Sequence, residues 1–199
     1  MLDQDLLPAL APLWDRIAIT LVRWRIGPTT LTLTGLALAL GSAGAAAMRA
    51  WPWALGLWLV SRVFDGLDGP AARHAGTASE RGGWLDIVSD VAAYGATLVG
   101  AAIGAPDAVI PLMVLLLTYY INITTFLAWS AAAERRRTEH RDERTYHFDR
   151  APAEGAETIV VHALMFAFPA FIAPLAWGFA ALVLVTIGWR SARVWRTLA

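Results

Sequence analysis

"DGLDGPAARHAGTASERGGWLDIVSD", residues 65–90, lies inside a chain that otherwise reads as membrane. It carries four aspartates, Asp65, Asp68, Asp86 and Asp90. A carboxylate near the centre of a spanning helix costs roughly 2.5–3.5 kcal/mol on insertion scales, so four of them require something in return. Their spacing says where to look. Asp65 and Asp68 are three residues apart, Asp86 and Asp90 four apart, and on a helix either spacing puts both side chains on one face. Gly82 falls on the face of Asp86 one turn earlier, which leaves room beside the carboxylates.

The chain around this stretch has 199 residues, 57% hydrophobic and only 16% charged, less charge than a soluble domain carries. Long apolar segments predict an all-α integral membrane protein, because a spanning backbone must satisfy its own hydrogen bonds. Hydropathy and turn residues place six spans at 30–48, 51–72, 82–104, 107–133, 154–168 and 174–195. The expected fold is a six-transmembrane-helix bundle, one domain over 1–199. Residues 1–27 form an N-terminal amphipathic interfacial helix and 28–199 the bundle. Leu6, Leu10, Leu13, Trp14, Ile17, Leu21 and Trp24 recur at helical spacing in the first segment, a pattern suited either to the membrane interface or to packing on the bundle. Pro8 and Pro12 are expected to delay its start. The N-terminus has two aspartates where a signal peptide would have positive charge. Gly35, Gly41, Ser42, Gly44, Gly100 and Gly104 are expected to let helices approach closely. Trp51, Trp53, Trp84, Trp189 and Trp195 near span ends suit interface anchors.

Acidic and basic residues balance at sixteen each, so no global field draws in nucleic acid. There is no Cys, which excludes disulfides and thiolate metal sites. Arginines cluster before the first span, between spans two and three, after span four and at the C-terminus. Arg49 is the one basic residue in the opposite connections. The positive-inside rule then puts both termini in the cytoplasm. On a rise of ~1.5 Å per residue, Asp65 and Asp68 lie ~21 and ~26 Å along span two, in a core ~30 Å thick. Asp86 and Asp90 lie ~6 and ~12 Å in from the same cytoplasmic boundary. Two helices thus deliver four carboxylates to one depth.

Arg62, Arg73 and Arg81 are the candidate counter-charges. A buried Asp–Arg network is the plain structural alternative, but a divalent cation accepts several carboxylates at once. An all-oxygen donor set without Cys or clustered His points to Mg²⁺ or Mn²⁺, with Ca²⁺ a third choice, and away from zinc. Gly69 beside Asp68, Arg73 one turn on, and a small polar turn before Gly82 add an open backbone and a bidentate phosphate partner. Metal, Arg and open backbone together make a diphosphate site.

The run Asp65-x2-Asp68-Gly69-x2-Ala72-Arg73-x8-Gly82-x3-Asp86-x3-Asp90 resembles the signature of the CDP-alcohol phosphotransferase (phosphatidyltransferase) family at every defined position and spacing. The resemblance implies cleavage of the diphosphate of a CDP-linked lipid, CDP-diacylglycerol foremost, in phospholipid biosynthesis. An acceptor hydroxyl attacks the phosphorus distal to cytidine, and CMP leaves. Asp65, Asp68, Asp86 and Asp90 would hold two divalent ions, and Asp90 would also take the proton of the attacking hydroxyl. Gly69, Arg73 and Ser79 would face the CDP, with Ala72 and Gly82 small to admit it. The family element "PTTLT" at 28–32 has Thr29 where Asn is usual; Thr29 and Thr32 are candidates for CDP-lipid binding or for capping the first span. A homodimer is likewise implied by the resemblance.

The acceptor, a small polar alcohol, is not identified by the motif. Arg135, Arg137, Arg190 and Arg193 would suit a phosphorylated one, although the positive-inside bias also accounts for them. Thr118, Tyr119, Asn122, Glu157 and His162 are polar candidates within spans four and five. His162 is expected to be a packing residue, and Glu154 and Glu157 equally suit a helix N-terminus. Two other classes remain open: an intramembrane Mg-dependent prenyltransferase, which lacks the Gly-x2-Ala-Arg continuation, and a non-enzymatic divalent-cation carrier.

Overall fold

The computed structural model describes residues 2–140 and 155–198, and every regular element among them is helical. The helices are α1 (Leu2–Arg23), α2 (Pro28–Ala47), α3 (Trp51–His74), α4 (Glu80–Gly104), α5 (Val109–His140), α6 (Gly155–Ala167) and α7 (Ile172–Leu198). Single 3₁₀ turns at Pro106–Ala108 and Pro169–Phe171 lead into α5 and α7. Helix α5 runs past the membrane-like segment into the Arg-rich linker. Glu154 and the linker beyond His140 lie outside the described residues.

Among the described residues, four helical segments are long and apolar enough to cross a bilayer: Pro28–Ala47, Glu80–Gly104, Pro106–Ala132 and Pro169–Arg196. The expected count of six is not reached on length and composition. Helix α3 is long enough but carries Arg62, Asp65, Asp68 and Arg73 along its second half. Helix α6 is apolar but has 13 residues, a length of ~20 Å against a core of ~30 Å.

Helix α1 begins at Leu2 and runs through Pro8 and Pro12, so the prolines do not delay its start. Each removes one backbone donor and crowds one carbonyl, a cost the other intrahelical bonds absorb near a helix end. Its Ala18 is fully buried in a small apolar cluster with Leu31, Leu67 and Ala71, flanked by Trp14, Ile17 and Leu21. The helix packs against α3, and Asp15 meets His74 at 3.0 Å.

Helix α2 lies against both α3 and α4, and small residues make this possible. A methyl group on Gly35 would stand 3.2 Å from the Ser61 carbonyl and 3.5 Å from the Asp65 amide. On Gly100 it would run into the backbone of Ala43, and on Gly104 into the carbonyl of Ala46. Ser42 is buried and donates to the Ala54 carbonyl at 2.7 Å. Gly44, expected to serve the same packing, faces open space. The helix that brings Asp65 and Asp68 and the one that brings Asp86 and Asp90 are therefore both clasped to α2.

Turn chemistry sets where these helices stop and start. Helix α3 ends in a left-handed Gly76 (φ +65°), with Thr77 N–H bonded to the Ala72 carbonyl and Gly76 N–H to that of Arg73. Ser79 then caps α4, its hydroxyl accepting from Gly82 N–H at 3.3 Å. The short connection leaves α3 and α4 antiparallel, with their acidic ends adjacent.

Candidate active site

The second half of α3 supplies Arg62, Asp65, Asp68, Gly69, Ala72 and Arg73, and the first half of α4 supplies Gly82, Asp86 and Asp90. Helix α2 adds Thr32. The four aspartates share one neighbourhood: Asp65 interacts electrostatically with Asp90 and Asp86, and Asp86 with Asp68 and Asp90.

Their immediate partners divide them. Arg62 Nη1 donates to Asp90 Oδ1 at 2.6 Å and stands 3.5 Å from Asp65 Oδ2. Thr32 Oγ1 donates to Asp68 Oδ2, and it also lies 3.1 Å from the Pro28 carbonyl. Asp68 is 8% exposed, whereas the Asp90 side chain is 35% exposed, so the open side of the cluster is the Asp90 side. Of the three candidate counter-charges, only Arg62 is buried; Arg73 and Arg81 are exposed.

Among the described residues, no three His, Asp or Glu side chains converge on a point at metal-ligand geometry as they stand. Asp90 is turned to Arg62 and Asp68 to Thr32. The chemistry of the donors nevertheless suits a hard divalent cation: four carboxylates at mutual electrostatic range, all oxygen, against one buried guanidinium.

The remaining expected residues are placed as follows. Arg73 is exposed and lies back over Gly69, its Nη1 3.5 Å from where a methyl on that glycine would be. Ala72 is half-buried beside it. Ser79 and Gly82 are exposed and bonded to each other through the α4 cap. Thr29 is exposed, and neither it nor Thr32 caps α2; the cap position is Gly27, with no side-chain bond, followed by Pro28.

Beneath the cluster lies a buried polar and aromatic column that the sequence reading did not assemble. The Arg62 guanidinium sits 4.7 Å from the Trp58 ring centre and 5.2 Å from that of Tyr94. Its Nε donates to Ser61 Oγ at 3.3 Å, and that hydroxyl donates to the Trp58 carbonyl. Trp58 donates to the Ile159 carbonyl of α6 and stacks on His162 at 4.9 Å. His162, fully buried, has Thr97 Oγ1 3.0 Å from Nδ1 and Tyr119 Oη 3.2 Å from Nε2. Thr97 Oγ1 also lies 2.9 Å from the Ala93 carbonyl, so a hydroxyl stands at each ring nitrogen of the imidazole. His162 is a satisfied packing residue, as expected. A hint was present in sequence: Trp58 precedes Arg62 by one helical turn and Tyr94 follows Asp90 by one.

The other polar candidates do not line the cluster as a group. Thr118 is buried and bonded to its own helix at the Leu115 carbonyl, and Tyr119 serves His162. Asn122 Oδ1 accepts from Arg190 at 2.9 Å, with the Phe126 ring 5.6 Å from the guanidinium. Arg193 lies over the Trp189 ring, and Glu157 is half-buried. The side chains of Arg135 and Arg137 are outside the described residues. The apolar cleft lined by Leu164, Phe168, Phe171, Pro174 and Leu175 is at the opposite end of α6 and contains no titratable group.

Comparison with known proteins gives the family and the fold. The profile of the CDP-alcohol phosphatidyltransferase family matches residues 25–190. The chain is 32% identical to the inner membrane protein YnjF of Escherichia coli (strain K12), covering 98% of this chain and 94% of that one. Its fold resembles phosphatidylinositol phosphate synthase (PgsA1) of Mycobacterium tuberculosis. The structure of that enzyme with CDP-DAG bound superposes with a TM-score of 0.75 at 21% identity, covering 92% of this chain and 94% of the other. Its complex with manganese and citrate gives a TM-score of 0.75 at 20% identity, covering 92% and 88%.

Proposed function

Because the chain belongs to the CDP-alcohol phosphatidyltransferase family, we propose that it transfers a phosphatidyl group from CDP-diacylglycerol to the hydroxyl of a small polar alcohol and releases CMP. The observation that carries this reading is the meeting of the two aspartate pairs of α3 and α4 at one place, clasped by α2. The bound donor and the manganese in the solved relative support it. The prenyltransferase and carrier readings have no comparable support.

Asp65, Asp68, Asp86 and Asp90 would hold one or two divalent ions, Mg²⁺ or Mn²⁺. When bound, such ions neutralise a diphosphate and stabilise the departing phosphate. Arg73 is free to swing from Gly69 onto the diphosphate as a bidentate partner. Gly69 and Gly82 leave the backbone open to the nucleotide, with Ala72 small beside them, and Ser79 keeps its hydroxyl proton for a further acceptor. Thr32 holds Asp68 in place, and Thr29 stands exposed one turn before it. At the reacting centre the acceptor oxygen attacks the phosphorus distal to cytidine. The P–O bond to CMP breaks, and the acceptor proton passes to the Asp90 carboxylate, more open than Asp65 and Asp68. General-base assistance of this kind contributes roughly 10²–10⁴-fold.

The proposal extends to the setting. The chain is one domain, 1–199, with α1 at the cytoplasmic interface and the other six helices in the bilayer. Helix α3 crosses because its charges meet one another rather than lipid, and α6 because α3 and α7 flank it. Both termini and the active site then face the cytoplasm, where a water-soluble acceptor reaches a lipid donor. The family reading further implies a homodimer. The test is CMP release from CDP-diacylglycerol on addition of single acceptors, with glycerol 3-phosphate, inositol phosphate, serine and choline in the panel. Failure of every acceptor together with failure to bind CMP rejects the reading.

A further inference from the structure

We propose that Arg62 is the positioning residue of this site: it ties Oδ1 of Asp90, aims Oδ2 at the acceptor, and serves as the internal counter-cation of the four aspartates. The inference rests on the transferase reading for its kinetic consequence and on geometry for the rest.

Arg62 Nη1 lies 2.6 Å from Asp90 Oδ1, across from α3 to α4. The short bond occupies that oxygen, so Oδ2, on a side chain that is 35% exposed and also meets the Asp65 carboxyl, is the one assigned to the proton of the acceptor. The same nitrogen stands 3.5 Å from Asp65 Oδ2, so one guanidinium joins an acid from each pair. The guanidinium itself has little freedom. Its side chain is 5% exposed and packs beside the Trp58 and Tyr94 rings, which meet each other edge to face, with Nε on Ser61. Trp58 is in turn held by the Ile159 carbonyl and by His162. A planar fork seated against two rings and bonded at Nε has a fixed direction, which a flexible ammonium would lack. The buried column thus has a purpose that its distance from the diphosphate would not suggest: it fixes the direction from which Asp90 is held.

The charge argument is separate. A cation bonded to two of the four carboxylates lowers their attraction for a divalent ion, since like charges compete for the same acids. Arg62 therefore improves the aim of Asp90 while weakening metal binding. A residue that merely supported the fold would raise both or lower both when removed.

The experiment compares the full-length protein with Arg62→Met, which keeps the bulk beside the two rings and removes the charge. Mn²⁺ affinity is read by electron paramagnetic resonance without donor, and CMP release is read in parallel. Expected are Mn²⁺ binding several-fold tighter, kcat lower by roughly 10²-fold, and a donor KM within about threefold of the parent. In an Asp90→Asn background the same substitution should cost no further activity, because its effect passes through Asp90. Weaker or unchanged Mn²⁺ binding, an unchanged kcat, or a loss that persists in the Asp90→Asn background would each overturn the proposal. If Arg62→Met does not fold, Arg62→Lys decides: charge kept and fork lost should leave Mn²⁺ affinity within about threefold and lower kcat about tenfold. Full activity of Arg62→Lys overturns it. A parent protein that releases no CMP rejects the transferase reading, and the Mn²⁺ comparison alone then decides the role of Arg62.

Discussion

At the residue scale, the four aspartates behave as a unit with unequal members. Asp68 is nearly enclosed and held by Thr32, while Asp90 is a third exposed and held by Arg62. In the proposed mechanism Asp90→Asn would remove the proton acceptor and one metal ligand, and kcat should fall by at least about 10²-fold. Thr32→Val removes the hydroxyl that fixes Asp68 but no charge; a loss of about 1–2 kcal/mol in transition-state stabilisation is expected, read as a five- to thirtyfold drop in kcat/KM. Chelation by EDTA should abolish CMP release, and Mg²⁺ or Mn²⁺ should restore it while Zn²⁺ should not. The acids were legible in sequence because their spacing is local and gapless. Their partners were not. Arg62 and Asp90 are 28 residues apart and Thr32 and Asp68 are 36 apart; the i,i+3 spacing of Arg62 and Asp65 was local and readable, but nothing local pointed Arg62 at Asp90. The choice is made by packing, which buries Arg62 against aromatic rings from α3 and α4.

At the element scale, the geometry depends on how closely α2 approaches its neighbours. Gly100→Ala would force its methyl into the Ala43 backbone, and a loss of about 1–3 kcal/mol is expected in thermal unfolding in detergent. Gly44→Ala, facing open space, should be neutral or slightly stabilising in the same assay. The sequence marked all these glycines alike as packing residues, because a small residue in a span has the same appearance whether it faces a helix or lipid. Helix ends give a second case. Arg25 and Arg49 adopt left-handed backbone (φ 59° and 61°) just after α1 and α2, where glycine would be unstrained. Arg49→Gly should therefore raise stability by about 1 kcal/mol, measured by the same unfolding curve. Helix existence was readable from hydropathy for every described span, whereas the start of α1 was misjudged because prolines near a helix end are tolerated more readily than in its middle.

At the scale of the whole molecule, the arginine distribution and the acid cluster make one statement about sidedness. The absence of Cys makes it simple to examine, since any thiol introduced is the only one. Thr77→Cys in the turn between α3 and α4 should react with a membrane-impermeant thiol reagent only in inside-out vesicles. Ala170→Cys, in the exposed turn before α7, should react only in right-side-out ones. The reverse pattern would place the site on the wrong side for a cytoplasmic nucleotide. The number of spans was the least legible feature of the whole: α3 carries charged residues along its length and α6 has 13 residues, so neither counts as a span on length and composition.

The central claim is that the acid cluster of α3 and α4 breaks a CDP-lipid diphosphate. The most direct measurement is metal-dependent CMP release from CDP-diacylglycerol by the purified protein, one acceptor at a time, beside Asp90→Asn. CMP that appears with one acceptor, requires Mg²⁺ or Mn²⁺ and falls by about 10²-fold or more in the variant is the predicted result. CMP release that persists unchanged in Asp90→Asn, or a parent protein that neither releases nor binds CMP, would contradict the account.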